Sequence, residues 1–97
     1  MTRSIHRLAA ADLVEAVRFY KTEAGAGLAR RFLAEFERVA ELLERHPGLG
    51  TPSGDGRQSR PLTDFPYSVI YRASARELRI LVLRHQSRNP EYGTGRR

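Results

Sequence analysis

The residues best suited to chemistry lie near the C-terminus, in the stretch LVLRHQSRNPEY from Leu81 to Tyr92. An apolar run ends there in Arg84 and His85, and Arg88 and Tyr92 follow. With Arg60 and Arg72 upstream, these types could supply general acid–base catalysis: a base, an acid, and cations for developing negative charge. If the chain is an enzyme, His85, Arg88 and Tyr92 are the catalytic candidates. The same residues fit plainer uses. A histidine at a strand end can hold the following loop by a hydrogen bond. Arg60, Arg72, Arg84, His85 and Arg88 can grip an anionic partner with no chemistry at all. Arg72 or Arg84 can also pair across strands with Glu77 or Asp64, although nine C-terminal arginines exceed what those acids can absorb.

Composition narrows the choices. A chain of 97 residues suits one domain with one modest core. It has no cysteine, and its three histidines, His6, His46 and His85, stand at no recognised metal spacing, so no metal and no cofactor is expected. No apolar stretch approaches the ~18 residues of a membrane span. Asp12 and Glu15 interrupt the N-terminal region where a signal peptide would carry its apolar centre. The expectation is a cytoplasmic protein without membrane contact. The net charge of +6 is uneven: residues 1–46 carry eight bases against seven acids, whereas residues 47–97 carry nine arginines against Asp55, Asp64, Glu77 and Glu91. A basic half of this kind faces nucleic acid or an acidic protein surface. Sixteen of the 17 basic residues are arginine, which suits bidentate recognition of phosphate or carboxylate, although a high-GC genome is the better account of the overall ratio.

The elements that would position these groups are readable from periodicity. Residues 3–8 suggest a short edge strand around Ile5. Residues 10–24 place Leu13, Ala16, Val17, Tyr20 and Ala24 on one helical stripe, with Asp12 and Glu15 near the positive end of the helix dipole. The glycines of Gly25-Ala26-Gly27 end that helix. Residues 28–46 give a second, stronger amphipathic helix through Leu28, Phe32, Phe36, Val39 and Leu43, stopped by Pro47. A turn-rich segment follows, then a short strand over 57–62 limited by Pro61, a strand from Ser68 to Ala73, and a longer one from Glu77 to Gln86. The run Ile80-Leu81-Val82-Leu83 marks that last strand as central. The predicted fold is α+β: a strand, a two-helix antiparallel hairpin, and three further strands, with the hairpin on one face of a small antiparallel sheet and the other face partly open. Residues 1–92 form the single domain, and residues 93–97 are expected to be a disordered tail.

In this order, DLVEAVRFY, LARRFLAEFERVAELLERHPGLGTP, FPYSVIYRA and LRILVLRHQSRNPEY resemble the ParE branch of the RelE/ParE toxins, from about Ile5 to Tyr92. The resemblance implies the same β-α-α-β-β-β fold and the role of toxin in a bacterial type II toxin–antitoxin, or plasmid-stabilisation, module. RelE-like members are ribosome-dependent, metal-independent endoribonucleases, whereas characterised ParE-like members inhibit DNA gyrase and stop growth. Both kinds are neutralised by an antitoxin, here expected to be ParD-like, with an acidic C-terminal segment and a ribbon-helix-helix N-terminus. Operator DNA would be bound only through that partner.

One departure favours binding over cleavage. RelE-like nucleases often carry arginine at the start of the third strand, where this chain has Ser68 in Ser68-Val69-Ile70-Tyr71. A serine hydroxyl cannot neutralise phosphate. Lysines common in that nuclease site are also absent, since Lys21 is the only lysine. The resemblance therefore points to a gyrase-binding toxin using Arg60, Arg72, Arg84, His85 and Arg88. Phe19, beside the apolar stripe of the first helix, and the basic residues Arg57, Arg72 and Arg84 would meet the antitoxin. A non-toxic relative acting as a basic binding module is the third possibility.

Overall fold

A computed structural model describes all 97 residues. Strand β1 (Thr2–Ile5) leads into helices α1 (Arg7–Ala24) and α2 (Ala26–Arg45). A short 3-10 turn (Pro47–Leu49) precedes β2 (Thr51–Pro52), β3 (Gln58–Pro61), β4 (Tyr67–Ala73) and β5 (Glu77–His85). The five strands form one sheet in the order β1-β5-β4-β3-β2. The predicted α+β architecture is present, but the sheet is mixed: β1 runs parallel to β5, while the other neighbours are antiparallel. Two intervening helices carry the chain over the sheet and allow that parallel return.

Local chemistry sets the boundaries. Helix α1 starts at Arg7, three residues before the sequence expectation, because His6 acts as its N-cap: Leu8 N–H donates to His6 Nδ1 at 3.0 Å. Only Gly25 is needed between the helices. It adopts φ of 92°, serving as the last cap of α1 and the first of α2, so Ala26 and Gly27 are already helical. The β4–β5 turn lacks glycine and is closed by serine. Ser74 Oγ accepts from Glu77 N–H at 3.1 Å, and Ser74 N–H donates to Glu77 O at 2.9 Å.

The core lies between the helices and one sheet face. Phe32, Phe36, Val39 and Leu43 of α2, with Ala9 and Ala16 of α1, pack on Val69, Tyr71, Leu78, Ile80 and Leu83. The opposite face carries a smaller cluster of Ile70, Leu81 and Val82, against which Tyr92 packs. A bulge explains the unbroken apolar run in β5. Ile70 pairs with Val82 and Tyr71 with Ile80, so Leu81 is the extra residue. Tyr71 ties the core to the crossing loop: its hydroxyl donates to Pro47 O at 2.7 Å and accepts from Gly50 N–H at 2.9 Å. Replacing Tyr71 with Phe removes both bonds at a fully buried position. The expected cost is about 1–2 kcal/mol, measured as a lowered midpoint in thermal denaturation.

Residues 93–97 are not a disordered tail. Arg57 donates from its two terminal nitrogens to Gly93 O at 3.1 Å and Arg96 O at 2.6 Å. Arg96 in turn is buried against β5. The tail thus crosses the sheet face that the helices leave uncovered, and that face is less open than the sequence suggests.

Candidate functional site

The side chains singled out in the sequence fall into three places. His85 lies at the end of β5, opposite Tyr67, with the rings edge-to-face at 5.0 Å. Its Nδ1 accepts from Ser87 N–H at 3.0 Å and lies 2.7 Å from Ser87 Oγ, which is the loop-holding geometry open to a strand-end histidine. Phe19, Tyr67, His85, Ser87 and Arg88 line a shallow groove of about 440 Å³ between α1 and the end of β5. Phe19 is 54% exposed there, its ring edge-on to Tyr20 at 5.4 Å. Arg88 reaches Glu15 at 3.9 Å and stacks over the Tyr92 ring, 4.2 Å from its centre.

Arg72 and Arg84 stand on the opposite sheet face. Neither pairs with Glu77 or Asp64: Arg72 donates to Asp55 O at 2.6 Å, and Arg84 to Pro90 O at 2.8 Å. Ser68 lies directly across from Arg84 in the β4–β5 register. The cation that Ser68 itself cannot provide therefore stands on the neighbouring strand, held to the backbone of the loop it covers. Arg57 flanks β3 on the same side as the tail that it anchors. Arg60 is separate from all of these. It pairs with Val69 in register and so projects to the helix side of β3, where it makes no ion pair. The five proposed target-binding residues thus occupy two faces and a groove instead of one patch.

The structure adds a network that periodicity did not reveal. Strand β1 pairs with β5 only through Ile80, leaving the next stretch of the β5 edge without a strand partner. Side chains fill that gap. Leu83 N–H donates to Asp12 Oδ2 at 3.2 Å, and Arg96 Nη1 donates to Leu81 O at 3.0 Å and to Asp12 Oδ2 at 2.7 Å. The Tyr92 hydroxyl donates to Asp12 Oδ1, and the guanidinium groups of Arg88 and Arg96 both stack on its ring. The hydrogen bond to Asp12 and burial together push the Tyr92 hydroxyl above its ordinary pKa. Asp12 is therefore a buried acceptor in the second turn of α1, not a surface acid serving the helix dipole. An Asp three residues after Ala9 and four before Ala16 lies on their shared helix face, and that spacing was the available signal.

Residues 4–90 match the family model described as the ParE toxin of the type II toxin–antitoxin system, parDE. The chain belongs to the ParE toxin family. Among solved structures, one titled as the chromosomal ParDE toxin–antitoxin system from P. aeruginosa superposes with a TM-score of 0.79 at 26% identity, covering 88% of this chain and 95% of that one. No curated protein matches the chain. ParE membership fixes the chain as a toxin-type component of such a module. The ParE match ends at residue 90, so Tyr92 and Arg96 lie just beyond it. No helix is long and apolar enough to cross a membrane.

Proposed function

We propose that this ParE-family chain arrests growth by binding DNA gyrase, and that a ParD-like antitoxin with an acidic segment neutralises it. The observation that carries the binding reading is the engagement of the Tyr92 hydroxyl by the buried Asp12 carboxylate. A tyrosine held as donor to a carboxylate, with a raised pKa, is poorly placed to exchange protons with RNA. Arg84, the cation beside Ser68, is likewise bonded to the backbone of its own loop.

The groove joins features that the sequence assigned to different partners. Phe19 was a candidate for the antitoxin, and His85 and Arg88 for the target, yet all three line one depression. An antitoxin segment seated on Phe19 would cover His85 and Arg88 as well. Neutralisation would then follow from occupying the target-binding surface.

Primer extension on mRNA from cells expressing the chain separates binding from cleavage. The expected outcome is growth arrest with no codon-positioned cuts. Such cuts, abolished by His85→Ala, would overturn the proposal in favour of a ribosome-dependent nuclease.

A further inference from the structure

The sheet face crossed by the tail holds a row of like charges that outnumber the acids near them. Arg72 pairs directly with Arg79 across β4 and β5. Gln58 pairs with Tyr71, so the next position in that register sets Arg57 beside Arg72. Three arginines therefore stand side by side, Arg79 on β5, Arg72 on β4 and Arg57 just before β3, across roughly 10 Å at the usual inter-strand spacing. Like charges directly opposite one another destabilise a sheet. None of the three pairs with an Asp or Glu side chain, and nor does Arg97, which lies over the row. Their bonds run to backbone and hydroxyl oxygens: Arg57 to Gly93 O and Arg96 O, Arg72 to Asp55 O, and Arg79 to Ser4 Oγ and to Arg97 O of the terminal carboxylate. Arg57 Nε is buried and has no partner. Burial and the neighbouring Arg72 and Arg96 lower the Arg57 pKa, and the Asp55 carboxylate offsets only part of that shift. Beside the row lies an open pocket of about 350 Å³ lined by Asp55, Arg57, Arg72, Gly95 and Arg97, with no apolar side chain.

We infer that the Arg57–Arg72–Arg79 row and its pocket form a carboxylate-binding site that takes the acidic side chains of an extended peptide segment. Guanidinium forks match carboxylates bidentately. The acids of an extended chain recur about 7 Å apart on one side, so two can engage a row of this length. The arginines are recessed and held in place by backbone oxygens, and flexible Asp or Glu side chains can reach into such a pocket. The ridge of a duplex phosphate backbone is less suited to it. This inference rests on the reading that an acidic antitoxin segment binds the chain.

The test titrates the purified protein with a fluorescent synthetic peptide carrying glutamate at alternate positions, read by anisotropy at physiological salt. Arg72→Gln and Arg79→Gln should each weaken binding about tenfold, the loss of one charge-assisted pair. Arg60→Gln, which removes the same charge from the other face, should weaken it no more than about twofold. Equal weakening by all three variants would overturn the site, as would tighter binding of a labelled DNA duplex through the same arginines. Circular dichroism checks each variant's fold, and Arg72→Lys, which keeps the charge without the fork, substitutes for any variant that unfolds. Co-purification with the antitoxin separates the two levels. If the antitoxin binds wild type and Arg72→Gln equally, the site is wrong and the partner reading stands. If it fails to bind wild type, the partner reading itself is wrong.

Discussion

Replacing Asp12 with alanine should cost about 3–5 kcal/mol of folding stability, because it strips a buried cation of its only carboxylate. The side chains of Asp12 and Arg96 are 5% and 9% exposed, so water cannot take over the pairing. The same change leaves Leu83 N–H without its acceptor and frees the Tyr92 hydroxyl. A domain of this size is stable by on the order of 5–15 kcal/mol, so the loss is a large share of the total. The melting midpoint should fall by roughly 12 °C or more. Asp12→Asn, which keeps an acceptor but not the charge, should fall between alanine and wild type. A buried pair is held more by the cost of breaking it than by net attraction. The double variant Asp12→Leu with Arg96→Met should therefore recover much of the stability lost by Asp12→Ala. A change of less than about 1 kcal/mol for Asp12→Ala, the range of exposed pairs, would show that the network does not hold the β5 edge.

Gly93→Ala should cost about 2–4 kcal/mol, from backbone strain and overpacking together. Gly93 has φ of 84°, which disfavours any side chain. A methyl group there would collide with Val82 Cγ2 and lie 2.9 Å from Val82 Cγ1. Val82 belongs to the apolar cluster under Tyr92, so the tail must lift to make room. Gly95→Ala is the matched control. Its φ is 90°, but the new methyl would meet nothing within 4 Å, so only the backbone cost of about 1 kcal/mol remains. Hydrogen exchange reads the structural consequence. In Gly93→Ala the Leu83 amide should lose protection, while the Val69 amide in the core of β4 keeps it. Unchanged stability in Gly93→Ala would mean that the tail is not packed on Val82.

Much of this fold is written in local pattern, and the site is not. Phe32, Phe36, Val39 and Leu43 announce α2 by their spacing, and the alternation around Val69 and Tyr71 announces β4. The parallel pairing of β1 is a long-range event between residues 2–5 and 77–80, and nothing in either tetrapeptide states its direction. The ordered tail was hidden for a related reason. Gly93-Thr94-Gly95-Arg96-Arg97 has no apolar residue, so hydropathy reads it as solvated. It is held by hydrogen bonds from Arg57 and by an ion pair to Asp12, some 84 residues away in sequence. The arginines were legible as a basic half, but their distribution depends on register. Arg60 and Arg72 part company because they occupy positions of opposite parity in the β3–β4 ladder. That is why a list of cations from the sequence does not form one surface.

The most direct test of the central claim, that the chain acts by binding gyrase, is a supercoiling assay with purified gyrase, relaxed plasmid and the purified chain. The account predicts that supercoiling falls as the chain approaches the gyrase concentration, that cleaved DNA accumulates, and that the antitoxin reverses both effects. Full supercoiling with no cleaved DNA at a large excess of folded chain would contradict it.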